Sequence, residues 1–288
     1  MAKNPEHLTC LEVLDKSSEF LRMKGVPSPK CDSEWIISSV LEKKRLELYL
    51  KPDEILSEEA IGKIRAMVVM RGKRIPLQHI LQSVNFAGIL LKCDRRALIP
   101  RPETESLVDH VLGRVPKSFE GNILDLGIGS GAILIALCLS LEQASGIGLD
   151  SSEDALALAE ENIITQGLEK RIHLRKFDWH VDDLSQIDAN LIISNPPYLL
   201  AREWESAEPE VKVHDPPEAL VSEQDGFADL GRIIGLGAQS LKSEGILALE
   251  FGAGHPEMIE DALSSDFGDI EILKDLSHRK RFAIARRK

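Results

Sequence analysis

Two spacings of apolar residues share this chain. In the first third they recur at helical intervals. Leu8, Leu11, Leu14, Phe20 and Leu21 mark one helical face. Trp35, Ile36, Ile37, Val40 and Leu41 mark a second helix, with Asp32-Ser33 as its expected cap. Ser57-Glu58-Glu59 opens a third, continuing through Ile61, Ile64, Met67 and Val68. Residues 1–80 therefore read as a small all-helical domain. Val84, Phe86, Ile89, Leu90 and Leu91 surround Gly88 and predict a hairpin or connector over residues 81–97. A proline-set turn, Pro100-Arg101-Pro102, then feeds Glu103 and Glu105 into a first helical turn. A well-built cap explains the acids but not the arginine between two prolines.

From residue 122 short β-branched runs alternate with helical spacing. The predicted strands are Asn122–Leu126, Gly146–Leu149, Ile172–Arg175, Leu191–Ser194, Ile246–Glu250, Ile270–Leu273 and Phe282–Ala285. Glu153–Ile163 and Phe227–Leu241 have helical spacing, and Ala132–Leu141 reads as a buried helix. Residues 98–288 thus form an α/β domain with a doubly wound sheet of seven strands, helices on both faces.

Composition narrows the partners. The net charge of −12 disfavours a protein that grips nucleic acid through phosphates. The tail Arg279-Lys280-Arg281 with Arg286-Arg287-Lys288 is a local basic face or a solvated terminus. No apolar run reaches the length of a membrane span, and the opening residues lack a signal-peptide core, so a cytoplasmic setting is expected. Cys10, Cys31, Cys93 and Cys138 are scattered without metal-ligand spacing; free thiols and no metal site are expected.

The candidate chemistry gathers at strand ends. Asn122–Leu126 runs into Gly127-Ile128-Gly129-Ser130-Gly131 and then an apolar helix. Glycines let the backbone turn and a ligand approach, and the helix start offers free N–H groups. Asp150 ends the second strand, where an acid commonly takes ribose hydroxyls. The loop also satisfies the dinucleotide pattern through Ala132, so it does not by itself separate NAD from S-adenosylmethionine. Asp125 leans toward the second, since a carboxylate suits a cationic methionyl amine; a structural loop carboxylate is the alternative. Asp178-Trp179 follows the third strand and suits an adenine, or else Trp179 is core. Asn195-Pro196-Pro197-Tyr198 follows the fourth. Its prolines stop the sheet and hold Asn195 extended at the ligand edge. The Asn195 carboxamide, the Pro196 carbonyl and the Tyr198 ring together form a holder for a planar NH2 group.

These motifs together resemble the HemK/PrmC family, protein-glutamine N5-methyltransferases of class I peptide-chain release factors. The matching pieces are Ile75-Pro-Leu-Gln78, Leu98-Ile-Pro-Arg-Pro-Glu-Thr-Glu105, Asp125-Leu-Gly-Ile-Gly-Ser-Gly131, Asp150-Ser151, Asp178-Trp179 and Ser194-Asn-Pro-Pro-Tyr198. Glu210-Val211, Pro217-Glu-Ala-Leu220 and Asp225-Gly-Phe227 follow the pattern too. His79 and Gln82 depart from it, standing where a Tyr and a Gly are expected, and Glu250-Phe-Gly-Ala-Gly-His255 lacks a glutamine expected after the glycine. The resemblance implies the class I S-adenosylmethionine-dependent methyltransferase fold with a small helical N-terminal domain that recognises substrate. It implies that Gly127 to Gly131, Asp150, Trp179 and Asn195 bind S-adenosylmethionine, and that Asn195 to Tyr198 receive the substrate glutamine. Two rivals remain: an enzyme methylating the exocyclic amine of adenine in DNA or RNA, and a non-catalytic S-adenosylmethionine-binding adaptor.

Overall fold

The computed structural model describes residues 8–184, 186–252 and 254–288, without the side chains of Gln224 and Asp225. The opening residues 1–7, the Asp225 side chain and Ala253, each part of a sequence pattern above, lie outside the described residues. The chain forms two compact units, Met1–Gln82 and Ser83–Lys288.

Capping chemistry sets the helices of the first unit. α1 (Cys10–Met23) starts at Thr9, whose hydroxyl accepts from the Glu12 N–H while Glu12 accepts from the Thr9 N–H. α2 (Pro29–Leu41) begins earlier than the expected Asp32-Ser33 cap. Pro29 pre-sets the first helical turn, and Asp32 instead turns inward to accept from Arg71 Nε at 2.6 Å. A 3-10 turn (Arg45–Tyr49) precedes α3 (Glu58–Gly72), capped by Ser57 as expected, and α4 (Leu77–Leu81) closes the unit. Leu14, Leu21, Ile36, Ile37 and Ile64 form its core. Gln82 caps α4 in the left-handed region, φ 56°, which is why a glycine is the expected residue there.

The second unit opens with the hairpin β1 (Ser83–Phe86) and β2 (Ile89–Lys92). Ala87 and Gly88 both take positive φ between them, as a two-residue hairpin turn requires. Then follow α5 (Pro102–Leu112), β3 (Asn122–Leu126), α6 (Ala132–Ser140), β4 (Ser145–Asp150), α7 (Glu153–Thr165), β5 (Ile172–Lys176) and β6 (Ala189–Ser194). The short helices α8 (Ala201–Glu205), α9 (Pro209–His214) and α10 (Glu223–Gly226) lead into α11 (Ala228–Ser240) and β7 (Leu241–Glu250). α12 (Pro256–Ser264), β8 (Phe267–Lys274) and β9 (Lys280–Arg287) complete the chain.

The seven strands lie in the order β5-β4-β3-β6-β7-β9-β8, and β9 runs antiparallel to both its neighbours. Side chains alternate across the sheet. Ile123, Leu191, Ile193, Ala248 and Ile284 enter a core with α5, α6 and α7. Leu124, Ile192, Leu247, Leu249 and Ala283 enter another with α11 and α12. Burial on both faces explains the near-continuous apolar strands. In the basic tail Arg279, Lys280 and Lys288 are exposed, while Arg286 and Arg287 donate to the Glu244 and Ala238 carbonyls and Lys288 to those of Ser264 and Ser265. Among the described residues no helix is long and apolar enough to cross a membrane.

Candidate active site

The sheet order reverses between β3 and β6, and the carboxyl ends of these paired strands release Gly127 and Asn195 at one edge. That is the switch point where open α/β sheets hold ligands. Gly127 has φ 79°, and a Cβ there would lie 3.3 Å from the Trp179 ring. The Gly127 and Ile128 N–H groups both donate to the Leu149 carbonyl, tying the loop to β4. Gly129 N–H donates to Asp150 Oδ2 at 2.9 Å and Ser152 N–H to Oδ1 at 3.0 Å. A carboxylate has about four acceptor sites, so Asp150 keeps capacity for hydroxyl donors. Burial raises its pKa, and these N–H groups oppose the rise.

Asn162 on α7 holds the loop from behind. Its Nδ2 donates to the Ser130 and Lys92 carbonyls and its Oδ1 accepts from Lys92 N–H, joining hairpin, helix and glycine loop. On the other side the Trp179 Nε1–H donates to Asp229 at 2.7 Å, which also holds Ser222. The indole is fixed with its ring against Gly127. Asp178 accepts from the His180 N–H and turns the chain after β5.

Two cavities open here. The first, about 980 Å3 with its mouth, is lined by Gly127, Ile128, Gly129, Ser130, Asp150, Trp179, Asn195 and Pro197, with Ala97, Ile133 and Ala155 adding apolar walls. The second, about 900 Å3, holds Pro196 and Tyr198 with Arg101, Glu203 and Glu250. Asn195 stands on the wall of both. Asp178 lines an adjoining recess with Trp179 and Pro197.

Asp125 and Gly131 do not reach these walls. Gly131 caps α6 at φ 86°. Asp125 is fully buried within β3, with no donor meeting either carboxylate oxygen at good geometry. Burial, with the Asp150 charge nearby, pushes its pKa up to about 8, and the Leu134 N–H pulls weakly the other way. The Asp125 side chain thus lies beside the start of α6 and lines neither cavity.

Around Asn195 the chain assembles residues whose roles the sequence does not disclose. Asn195 Nδ2 donates to Thr104 Oγ1 at 3.2 Å, and Thr104 donates to Glu250 Oε2 at 2.7 Å. Tyr198 OH donates to Glu250 Oε1 at 3.0 Å, and the Arg281 guanidinium lies 5.5 Å from the Tyr198 ring centre. Burial raises the pKa of both Tyr198 and Glu250. The arginine between two prolines also finds its reason: Arg101 donates to the buried Asp215 at 2.5 Å. The Leu98–Glu105 motif signals Thr104 and Arg101; their partners, far along the chain, carry no local signal.

The glycine loop fits an S-adenosylmethionine ligand: backbone clearance at Gly127, spare acceptor capacity on Asp150 and a fixed indole surround an apolar cavity. Fold and site define a class I S-adenosylmethionine-dependent methyltransferase. Residues 12–81 match the PrmC N-terminal domain and residues 104–223 the methyltransferase small domain. The chain is 37% identical to a release factor glutamine methyltransferase of Fusobacterium nucleatum, over 96% of this chain and 78% of that protein. It is 34% identical to one of Caulobacter vibrioides, over 96% of both. The chain belongs to the release factor glutamine methyltransferase family. Among solved structures the hMettl16 catalytic domain, in complex with the MAT2A 3'UTR hairpin 6, superposes with TM-score 0.56 at 17% identity, over 77% of this chain and 81% of that one. That likeness is one of fold.

Proposed function

We propose that this enzyme methylates the side-chain amide nitrogen, N5, of the glutamine in the Gly-Gly-Gln motif of class I peptide-chain release factors, in the cytoplasm and in support of translation termination. The observation that carries the reading is Asn195 on the wall common to both cavities, with cofactor on one side and glutamine on the other. Gly127, Gly129, Asp150 and Trp179 would hold the cofactor, with Asp178 at the adenine end. Bound S-adenosylmethionine supplies a methyl group activated by its sulfonium.

An amide nitrogen is a poor nucleophile because its lone pair is delocalised into the carbonyl. Asn195 Oδ1 and the Pro196 carbonyl can accept its two N–H groups, reduce that delocalisation and aim the nitrogen at the methyl. The nitrogen becomes acidic only as its bond to the methyl forms and the methyl–sulfur bond breaks, and its proton then passes to solvent, so the site needs acceptors rather than a strong base. Tyr198 agrees with that requirement: its hydroxyl is a donor to Glu250 with a raised pKa, and its ring walls the slot. The net charge of −12 favours a protein substrate over nucleic acid. The first unit is the candidate for a second contact with the release factor.

The test offers labelled S-adenosylmethionine with release factor and with nucleic acid in parallel. Label in the release factor alone is expected. Label in adenine, or none with cofactor bound, would overturn the reading in favour of a nucleic-acid enzyme or an adaptor respectively.

A further inference from the structure

A carboxamide can present either end, and only one end accepts hydrogen bonds. The surroundings of Asn195 decide which. Thr104 Oγ1 has a single proton, and the Glu250 carboxylate 2.7 Å away is an acceptor when ionised. The proton goes to Glu250, leaving lone pairs of Thr104 to meet Asn195 at 3.2 Å. Only the NH2 end of Asn195 satisfies them, so Oδ1 is turned away from Thr104. Tyr198 donates to the other oxygen of Glu250 at 3.0 Å, so the carboxylate is held at both ends. Glu250 is 1% exposed and Thr104 3%, so water does not compete.

We infer that Thr104 and Glu250 are positioning residues for methyl transfer: their hydrogen-bond chain fixes the Asn195 carboxamide with its oxygen toward the substrate NH2. The chain also explains two separate motifs. The Pro100-Arg-Pro102 turn starts α5 so that Thr104 falls in its first turn, where its N–H bonds the Arg101 carbonyl. β7 ends at Glu250, beside the strand that delivers Asn195. Thr104 and Glu250 are 146 positions apart and meet only through the sheet order.

This inference rests on the glutamine reading above, and the assay separates the two. Full-length wild-type, T104V, T104S and E250Q enzymes are compared on purified release factor, with cofactor affinity measured by calorimetry and folding by thermal unfolding. Valine keeps the shape of threonine without the hydroxyl; serine keeps the hydroxyl without the methyl. T104V should lose about 10–100-fold in kcat, by analogy with hydrogen-bond partners that orient metal-binding side chains. KM for the release factor and cofactor affinity should hold, and T104S should recover most of kcat. E250Q can donate to Thr104 and reverse the chain, so it should fall like T104V; it also decides the matter if T104V misfolds. Wild-type kcat in T104V or E250Q, or an equal loss in T104S, would overturn the inference. No methylation of the release factor by the wild-type enzyme would overturn the glutamine reading instead.

Discussion

Asn195 is legible in the sequence because its whole meaning is local: a polar side chain between a β-branched run and two prolines. Asn195→Ala should leave the fold intact and cost about 2.7–4 kcal/mol in the transfer step, the range for removing one preorganised polar contact. Turnover within a few-fold of wild type would remove Asn195 from the mechanism. Asp150→Ala should weaken S-adenosylmethionine binding by about 1.5–3 kcal/mol, as for a hydrogen bond to a charged group; unchanged affinity by calorimetry would contradict its role. Asp125 is legible as an acid in the loop but not as one facing inward, since a strand residue beside a glycine can point to either side. Its consequence is for stability. An unfolded aspartate titrates near about 3.9, whereas burial pushes Asp125 to about 8. The folded state therefore holds more protons across that window, and stability falls as pH rises through it. Asp125→Asn should flatten this fall between those limits when urea unfolding of the cofactor-free enzyme is compared at several pH values; parallel curves for variant and wild type would contradict it.

At the scale of elements, the central strands β3, β6 and β7 can be read because both faces of the sheet are buried there and the apolar runs are continuous, while the edge strands β5 and β8 show only alternation. The start of α2 escapes such reading because Asp32 has a remote partner, Arg71, that no local pattern reveals. Residues 199–226 offer no periodicity to read. Their short helices are held by long-range bonds, Leu199 N–H to the Leu220 carbonyl and Arg101 to Asp215. Asn162 belongs to the same class: it lies mid-helix, yet joins hairpin to glycine loop. Asn162→Ala leaves buried groups unsatisfied and should cost about 1–3 kcal/mol of stability. Its denaturant midpoint should fall with unchanged slope, and cofactor affinity should fall with it. A variant with wild-type midpoint would show that the loop is held by other contacts.

For the whole molecule, the division into two units bears on the proposed cofactor site. Every residue assigned to the cofactor lies in Ser83–Lys288. A chain lacking residues 1–82 should bind S-adenosylmethionine as the full chain does but methylate release factor far more slowly, through loss of a second contact. Full activity after the deletion would reduce the first unit to a folding accessory. The central claim concerns one atom, and one measurement reaches it. Folded release factor, methylated by the full-length enzyme, is digested and the modified position located by mass spectrometry, alongside a release factor whose motif glutamine is replaced by glutamate. On the proposed geometry Asn195 Oδ1 and the Pro196 carbonyl meet the substrate nitrogen as acceptors, and a carboxylate brings no N–H to meet them. A methyl group on the Gly-Gly-Gln glutamine, and none on the glutamate variant, is the expected result. Methyl on any other side chain with that glutamine untouched would contradict the account.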